Sequence, residues 1–187
     1  PIGAAETFSG LIDLITCERL DFDPADQGKT WTRSPLSDEE TALAAQWRDP
    51  MLERLAEHDD LFLEQYLGGD YGESDIHAAI RRATLSRKLT PVLCGSALKN
   101  TGVQPLLDAV KRYLPAPEDL PPAEARNPLD GTTTQIACDP ATPLCGLVFK
   151  VMMDGGRKLA LVRLYAGTLR EGDTCRNVTR AADERIS

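Results

Sequence analysis

The chain has 187 residues, the length of one large domain or two small ones. Its 42% hydrophobic content supports a folded core, whereas 5% aromatic residues disfavours an aromatic platform for single-stranded nucleic acid. The net charge of −8 is concentrated, because twelve acidic and two basic residues lie between positions 37 and 75. The negative charge of that segment repels the phosphates of DNA, which disfavours DNA as a partner. Two interpretations of the charge stay open: the segment binds a basic protein, or its acidic surface serves only solubility.

The first residues are predicted to form a small antiparallel sheet. The largely apolar run at residues 8–15 predicts a strand, with antiparallel neighbours at 20–22 and 29–33. Ser37, followed three residues later by Glu40, is a capping box, the pattern with which helices begin.

A long helical segment is predicted after the capping box. Its apolar residues recur at helical spacing: Leu43, Trp47, Met51, Leu55, Phe62 and Tyr66. Pro50 interrupts the pattern and predicts a kink or a junction of two helices there, and Gly68-Gly69 ends the segment. Acidic residues recur on what the spacing predicts to be one helix face: Glu53, Glu57, Asp60 and Glu64.

The next forty residues read as helix, strand and helix. The first helix spans about 74–88 and points Ile76, Ile80 and Leu85 inward. Residues 91–94 are predicted to form a buried strand, which a Gly95-Ser96 turn ends. Asn100-Thr101 is predicted to cap the second helix, whose apolar stripe comprises Val103, Leu106, Leu107, Val110 and Leu114. This order is typical of α/β proteins, although the strand has no evident parallel partner in the chain.

Proline becomes frequent towards the C-terminus. Seven prolines between positions 115 and 143 predict a linker. Strands are expected at 145–153 and 159–166, joined around Asp154-Gly155-Gly156, and a further strand near 174–178. Three or four strands are too few to close a barrel, so the chain is expected to be part of a larger protein.

Cysteine and histidine content excludes several kinds of reactive site. Five cysteines stand far apart without a C-x-x-C pair, and the chain has only two histidines. A disulfide framework, a zinc site and a Ser-His-Asp hydrolase are disfavoured, and we predict no catalytic residue and no metal ligand. Free thiols indicate a cytoplasmic protein, and no membrane partner is expected because no apolar run approaches ~18–20 residues.

One stretch carries a family resemblance. Residues 90–110, TPVLCGSALKNTGVQPLLDAV, resemble bacterial elongation factor G, a translational GTPase. FSGLIDLI at 8–15, EQYLGG at 64–69 and LYAG at 164–167 are similar to the same family, in the family's order. The resemblance implies an interior segment with an α/β fold. It assigns 1–88 to an α+β insertion subdomain and 89–115 to the last strand, loop and helix of the P-loop GTPase domain. It assigns 116–142 to a Pro-rich linker and 143–187 to an incomplete antiparallel β-barrel.

The resemblance also implies a nucleotide contact. Ser96, Ala97, Leu98 and Lys99, hereafter the guanine-contact loop, match the family's fifth guanine-nucleotide motif, in which backbone N–H groups approach guanine O6. The chain lacks a G-x-x-x-x-G-K-[ST] loop and an Asn-Lys-x-Asp element. GTP or GDP, with Mg²⁺, is therefore expected only in the parent protein, and the isolated chain is expected to bind no cofactor and hydrolyse no GTP.

The implied partners are ribosomal. In the family, an acidic helix of the insertion subdomain docks the C-terminal domain of the ribosomal stalk protein, and Glu53, Glu57 and Asp60 fall at the implied positions. The second domain is implied to contact ribosomal RNA, and the parent to couple GTP hydrolysis to translocation. Two alternatives stay open: a related translational GTPase of the ribosomal-protection or release-factor-like kind, or a free-standing acidic helical binding module.

Overall fold

The computed structural model describes residues 1–128 and 130–187, which divide into two compact units, Pro1–Leu114 and Pro115–Ser187. The first unit begins with an antiparallel sheet of β1 (Gly10–Asp13), β2 (Glu18–Phe22) and β3 (Trp31–Pro35). The three predicted strands are confirmed, but β3 pairs with the central β2 rather than with β1. Leu11, Leu20 and Phe22 are buried together on one face of this sheet.

Helix α1 (Asp38–Ala56) begins at the predicted capping box. Ser37 Oγ accepts the Glu40 N–H at 3.2 Å, and Glu40 Oε2 accepts the Ser37 N–H at 3.0 Å. The helix continues through Pro50, so the predicted junction at that residue is wrong. Pro50 lies on an exposed face, where water can bond the carbonyl that has no helical N–H partner.

Two shorter helices complete the core of the first unit. Helix α2 (Asp60–Gly68) ends at the predicted Gly68-Gly69 pair, where the cap residue Gly69 is left-handed, and α3 (Glu73–Leu85) packs against it. Phe62 is 0% exposed at the centre of a cluster of buried residues: Leu52, Leu55, Ala56, Ile76, Ala79 and Ala83. Leu85 is exposed, contrary to the prediction that it points inward. None of the helices in the described ranges is long and apolar enough to cross a bilayer.

A buried carboxylate joins the three helices. Asp59 Oδ1 accepts the Phe62 N–H at 2.8 Å, which caps α2. The same side chain receives two bonds from the Arg82 guanidinium of α3, at 2.7 and 2.8 Å. These bonds from Arg82 hold the pKa of Asp59 below its usual value despite burial. The α1–α2 connection is therefore fixed to α3 by charge as well as by packing.

Helix α4 (Val103–Tyr113) packs on α3 through a face that the sequence pattern does not indicate. Its buried residues are Ala109 and Tyr113, and the Tyr113 hydroxyl lies 2.6 Å from His77 Nδ1. Burial, with the nearby Arg112 charge, lowers the pKa of His77. Most of the predicted apolar stripe is exposed instead: Leu106, Leu107, Val110 and Leu114. The predicted Asn100-Thr101 cap is also wrong, since Gly102 occupies the N-cap position with φ +81°.

The second unit consists of hairpins. Strands β4 (Ala123–Arg126) and β5 (Thr133–Ile136) pair within the predicted linker, which therefore contains regular structure. Strands β6 (Cys145–Asp154) and β7 (Arg157–Ala166) form the predicted long hairpin around Gly155-Gly156. Strands β8 (Thr174–Asn177) and β9 (Ala182–Arg185) form the last pair, of which the sequence pattern predicts only β8. Across the described residues these pairs stay three separate two-stranded sheets.

Candidate functional site

The segment that leads into the guanine-contact loop is irregular. Residues 91–95 form no strand, and Val92 is 91% exposed, so the predicted buried strand at 91–94 is wrong. A buried strand needs a neighbour to bond its backbone groups, and no strand within the described ranges pairs with this segment. The apolar composition of residues 91–94 shows that they are suited to burial, but it does not indicate which surface would bury them.

The guanine-contact loop is closed on itself by backbone hydrogen bonds. The Ser96 N–H donates to Thr101 O at 2.8 Å, and the Thr101 N–H donates back to Ser96 O at 3.0 Å. Inside this closure the Asn100 N–H donates to Ala97 O at 3.2 Å. Ser96 Oγ accepts a long bond of 3.4 Å from the Lys99 N–H. The sequence Ser96–Lys99 thus folds as a compact turn whose ends are held together.

Two backbone N–H groups at the tip of this turn are free to donate a hydrogen bond. Among the hydrogen bonds of the described residues, none uses the N–H of Ala97 or Leu98. Both residues are exposed, and Leu98 reaches 97%. Adjacent, unpaired backbone donors suit a carbonyl-type acceptor such as the O6 of guanine. The side chains of the loop supply the Ser96 hydroxyl and the Lys99 amine but no carboxylate, imidazole or thiol, and its backbone amides can donate to an acceptor.

Two residues beside the guanine-contact loop, one in the β2–β3 turn and one at the start of α4, were not identified by the sequence analysis. Gly28 is buried beside the carbonyls of Lys99 and Asn100, and Gln104 Nε2 donates to Gly28 O at 2.7 Å. Gln104 lies in the first turn of α4, directly after the loop. The contact joins residues 76 positions apart in the chain, so no local pattern could have revealed it.

The predicted acidic residues lie on two helices rather than one. Glu53 belongs to α1, Glu57 is the C-terminal cap of that helix, and Asp60 is the first residue of α2. All three are exposed, and Glu57 pairs with Arg54 at 2.7 Å. The prediction of one continuous helix face is therefore wrong, because the helix ends at Ala56 and a new one begins at Asp60. Leu55 and Phe62, on the opposite side of these helices, are buried as predicted.

The basic residues of the second unit are partly neutralised by neighbours on their own hairpin. Arg176 pairs with Asp183 at 3.0 Å across β8 and β9, and Arg180 lies 3.7 Å from Glu184. Arg157 and Lys158 stand exposed at the start of β7. No cluster of His, Cys, Asp and Glu able to hold a metal ion occurs among the residues that the structure describes.

Comparison with known proteins places this chain beside elongation factor G. The elongation factor G 2 of Geobacter metallireducens is 42% identical over 188 residues, and the elongation factor G of Salinibacter ruber is 42% identical over 191. The elongation factor G 1 of Treponema denticola is 40% identical over 189 residues. Each alignment covers 100% of this chain but only 27 or 28% of the relative, so the chain spans about a quarter of the relatives' length. No family model matches the chain.

A solved structure supports the same relationship at the level of the fold. A crystal structure of a Thermus thermophilus protein matches with a TM-score of 0.69 and 26% identity, and the match covers 100% of this chain and 25% of that one. The resemblance predicted from the sequence is thereby confirmed, and the chain is, over its whole length, a homologue of part of elongation factor G.

Proposed function

We propose that the chain is an interior segment of an elongation factor G that uses GTP hydrolysis to drive translocation on the ribosome. In that protein the segment supplies the guanine-contact loop, Ser96–Lys99, and an insertion subdomain that docks the ribosomal stalk. Identity of 40–42% to elongation factor G proteins along the entire chain carries this proposal. The unpaired amides of Ala97 and Leu98, which belong to exposed residues, support the nucleotide contact, because they provide the donors that such a loop requires.

The parent protein supplies what this segment lacks. The phosphates of GTP or GDP and their Mg²⁺ would be held by a P-loop, whose sequence pattern is absent from these 187 residues. The loop would contribute the purine side of the site. The first unit would carry the stalk-docking surface, and the second unit would form the beginning of the β-barrel domain that meets ribosomal RNA.

The isolated chain is expected not to bind guanine nucleotide measurably. One or two amide contacts to a base cannot offset the ~4–15 kcal/mol that association costs in lost freedom of motion. Titration with fluorescently labelled GDP or GTP should therefore show no saturable binding at micromolar nucleotide, and phosphate release assays should show no turnover. Saturable binding or GTP hydrolysis by the chain alone would contradict the division of roles proposed here.

The acidic surface of the first unit gives a second expected result. Glu53→Lys, Glu57→Lys and Asp60→Lys together should slow association with a purified bacterial stalk C-terminal domain by about tenfold at low ionic strength. Each exposed ion pair contributes only ~0–1 kcal/mol, so the dissociation rate should change less. The difference should shrink in about 1 M salt, where screening acts over ~3 Å. Stopped-flow measurements at several salt concentrations provide the rates.

The matched control reverses three exposed acidic residues of the second unit: Glu118→Lys, Asp154→Lys and Glu171→Lys. It makes the same change in net charge without touching the helices, so its association rate should stay closer to that of the wild-type chain. Equal slowing by both triple variants would show an effect of net charge alone and would remove the acidic surface from the proposal. Far-UV circular dichroism checks that α2 survives the change at Asp60.

A further inference from the structure

The β2–β3 turn makes a close backbone contact with the guanine-contact loop. Gly28, at the end of that turn, is buried and has φ +70°. A Cβ placed on it would lie 2.7 Å from Asn100 O, closer than a Cβ can approach, and 3.0 Å from Lys99 O, tighter than most Cβ contacts. The carbonyls that follow the tip of the loop therefore rest directly on the Gly28 backbone, in a space that only glycine leaves open.

The turn that presents Gly28 is itself firmly held. The Gly28 N–H donates to Asp23 O at 2.8 Å. The carboxylate of Asp26 accepts the N–H groups of Lys29 and Thr30, each at 2.9 Å. The bonds from Thr30 are the main reason that the pKa of Asp26 is lowered. These bonds fix the turn without any help from the loop, so the turn can act as a support.

A side chain from the first turn of α4 completes the contact. Gln104 Nε2 donates to Gly28 O at 2.7 Å, while the other amide atom, Oε1, is buried without a partner among the described residues. Gly102 supplies a second support: a Cβ there would lie 3.0 Å from Leu11 Cδ1 of β1. The loop is therefore seated on the sheet of the first unit, whereas the segment before it, residues 91–95, is irregular.

We propose that Gly28 and Gln104 are positioning residues for guanine recognition: the β2–β3 turn holds the loop so that the Ala97 and Leu98 amides keep a fixed place. This inference rests on the proposed guanine contact and deepens it, because it makes the small sheet a determinant of nucleotide affinity. A displacement of the β2–β3 turn would then change how tightly the parent protein holds guanine nucleotide, although no atom of the turn touches the base.

Amide hydrogen exchange on the whole 187-residue chain tests the support itself. Gly28→Ala and Gln104→Met should accelerate exchange at Ser96, Asn100 and Thr101 by about tenfold, the loss expected for one weakened contact of hydrogen-bond strength. Gly69→Ala is the matched control, since Gly69 has φ +68° but nothing within 4 Å of an added Cβ. Unchanged loop exchange in Gly28→Ala would overturn the proposal. So would acceleration spread equally over α1, α2 and α3, which would show general destabilisation.

Measurements of nucleotide affinity test whether the β2–β3 turn positions the loop for guanine binding. The chain would replace the corresponding quarter of the Geobacter metallireducens elongation factor G 2, and binding of GDP would be compared with 2-aminopurine riboside diphosphate, which lacks O6. Gly28→Ala should weaken GDP binding about tenfold and leave the analogue almost unchanged, because only the O6 contact depends on the loop. Equal weakening of both ligands would overturn the positioning role. If the unsubstituted chimera binds both ligands equally, the guanine contact itself fails, whatever the exchange data show.

Discussion

Replacing Phe62 by alanine is expected to lower the free energy of unfolding of the first unit by about 3–5 kcal/mol. Phe62 is 0% exposed and packs against the rings of Tyr66 and Tyr71, at ring-centroid distances of 6.1 and 5.4 Å. Its removal leaves a cavity at the point where α1, α2 and α3 meet, and the surrounding helices can close it only in part. Urea unfolding should show the loss as a lower midpoint with little change in slope.

The chain provides its own probe and its own control for this experiment. Both tryptophans, Trp31 and Trp47, belong to the first unit, so tryptophan fluorescence follows that unit without interference from the second. Leu61→Ala changes the neighbouring residue, whose side chain is 62% exposed, and should cost less than about 1 kcal/mol. Similar losses for the two variants would contradict the packing described for α2.

Replacing Asp59 by alanine is expected to cost about 2–3 kcal/mol, the second largest effect. The substitution removes the cap of α2, worth about 1 kcal/mol, and the charged bonds from Arg82. Arg82 is 42% exposed, so it can turn to water after the change, which limits the loss. Asp59→Asn keeps an acceptor for the cap and should cost less than Asp59→Ala.

The contribution of Asp59 should depend on pH in a defined direction. Because its pKa is lowered in the folded state, the stabilisation is present above the unfolded-state pKa of about 3.9 and disappears as pH falls through the folded value. The difference in unfolding free energy between wild type and Asp59→Asn should be constant from about pH 7 to 5 and shrink below that. A difference that persisted unchanged at about pH 2–3 would show that Arg82 does not recognise the charge.

Signals that act over three or four residues predicted their structures well. The Ser37–Glu40 capping box, the left-handed Gly69 cap and the Gly155-Gly156 hairpin all form where the sequence indicates, because each needs only its own neighbours. The junction of α1 and α2 was misplaced for a related reason. Pro50 is a strong local helix breaker, but the exposed face of α1 tolerates it. The junction lies instead just before α2, where Asp59 caps that helix and pairs with Arg82.

Predictions of burial failed where the partner surface was not local. The apolar residues of 91–94 and of the α4 stripe were expected to lie inside, yet most of them are exposed in the structure. Periodicity identifies a face suited to packing, but not what packs against it, and α4 uses Ala109 and Tyr113 for its contact with α3. The same reasoning explains why Gly28 and Gln104 escaped notice, since their role comes from a contact between distant parts of the chain.

The long hairpin of β6 and β7 has a practical consequence for handling the chain. Apolar side chains are exposed on both faces of this ribbon, among them Leu147, Val148, Phe149 and Met152. Its outer edges pair with no other strand in the described part of the chain, so they offer backbone groups to any extended peptide nearby. Concentrated preparations should therefore aggregate through this hairpin. A charged residue in place of Phe149 should delay the onset of aggregation, which light scattering would measure.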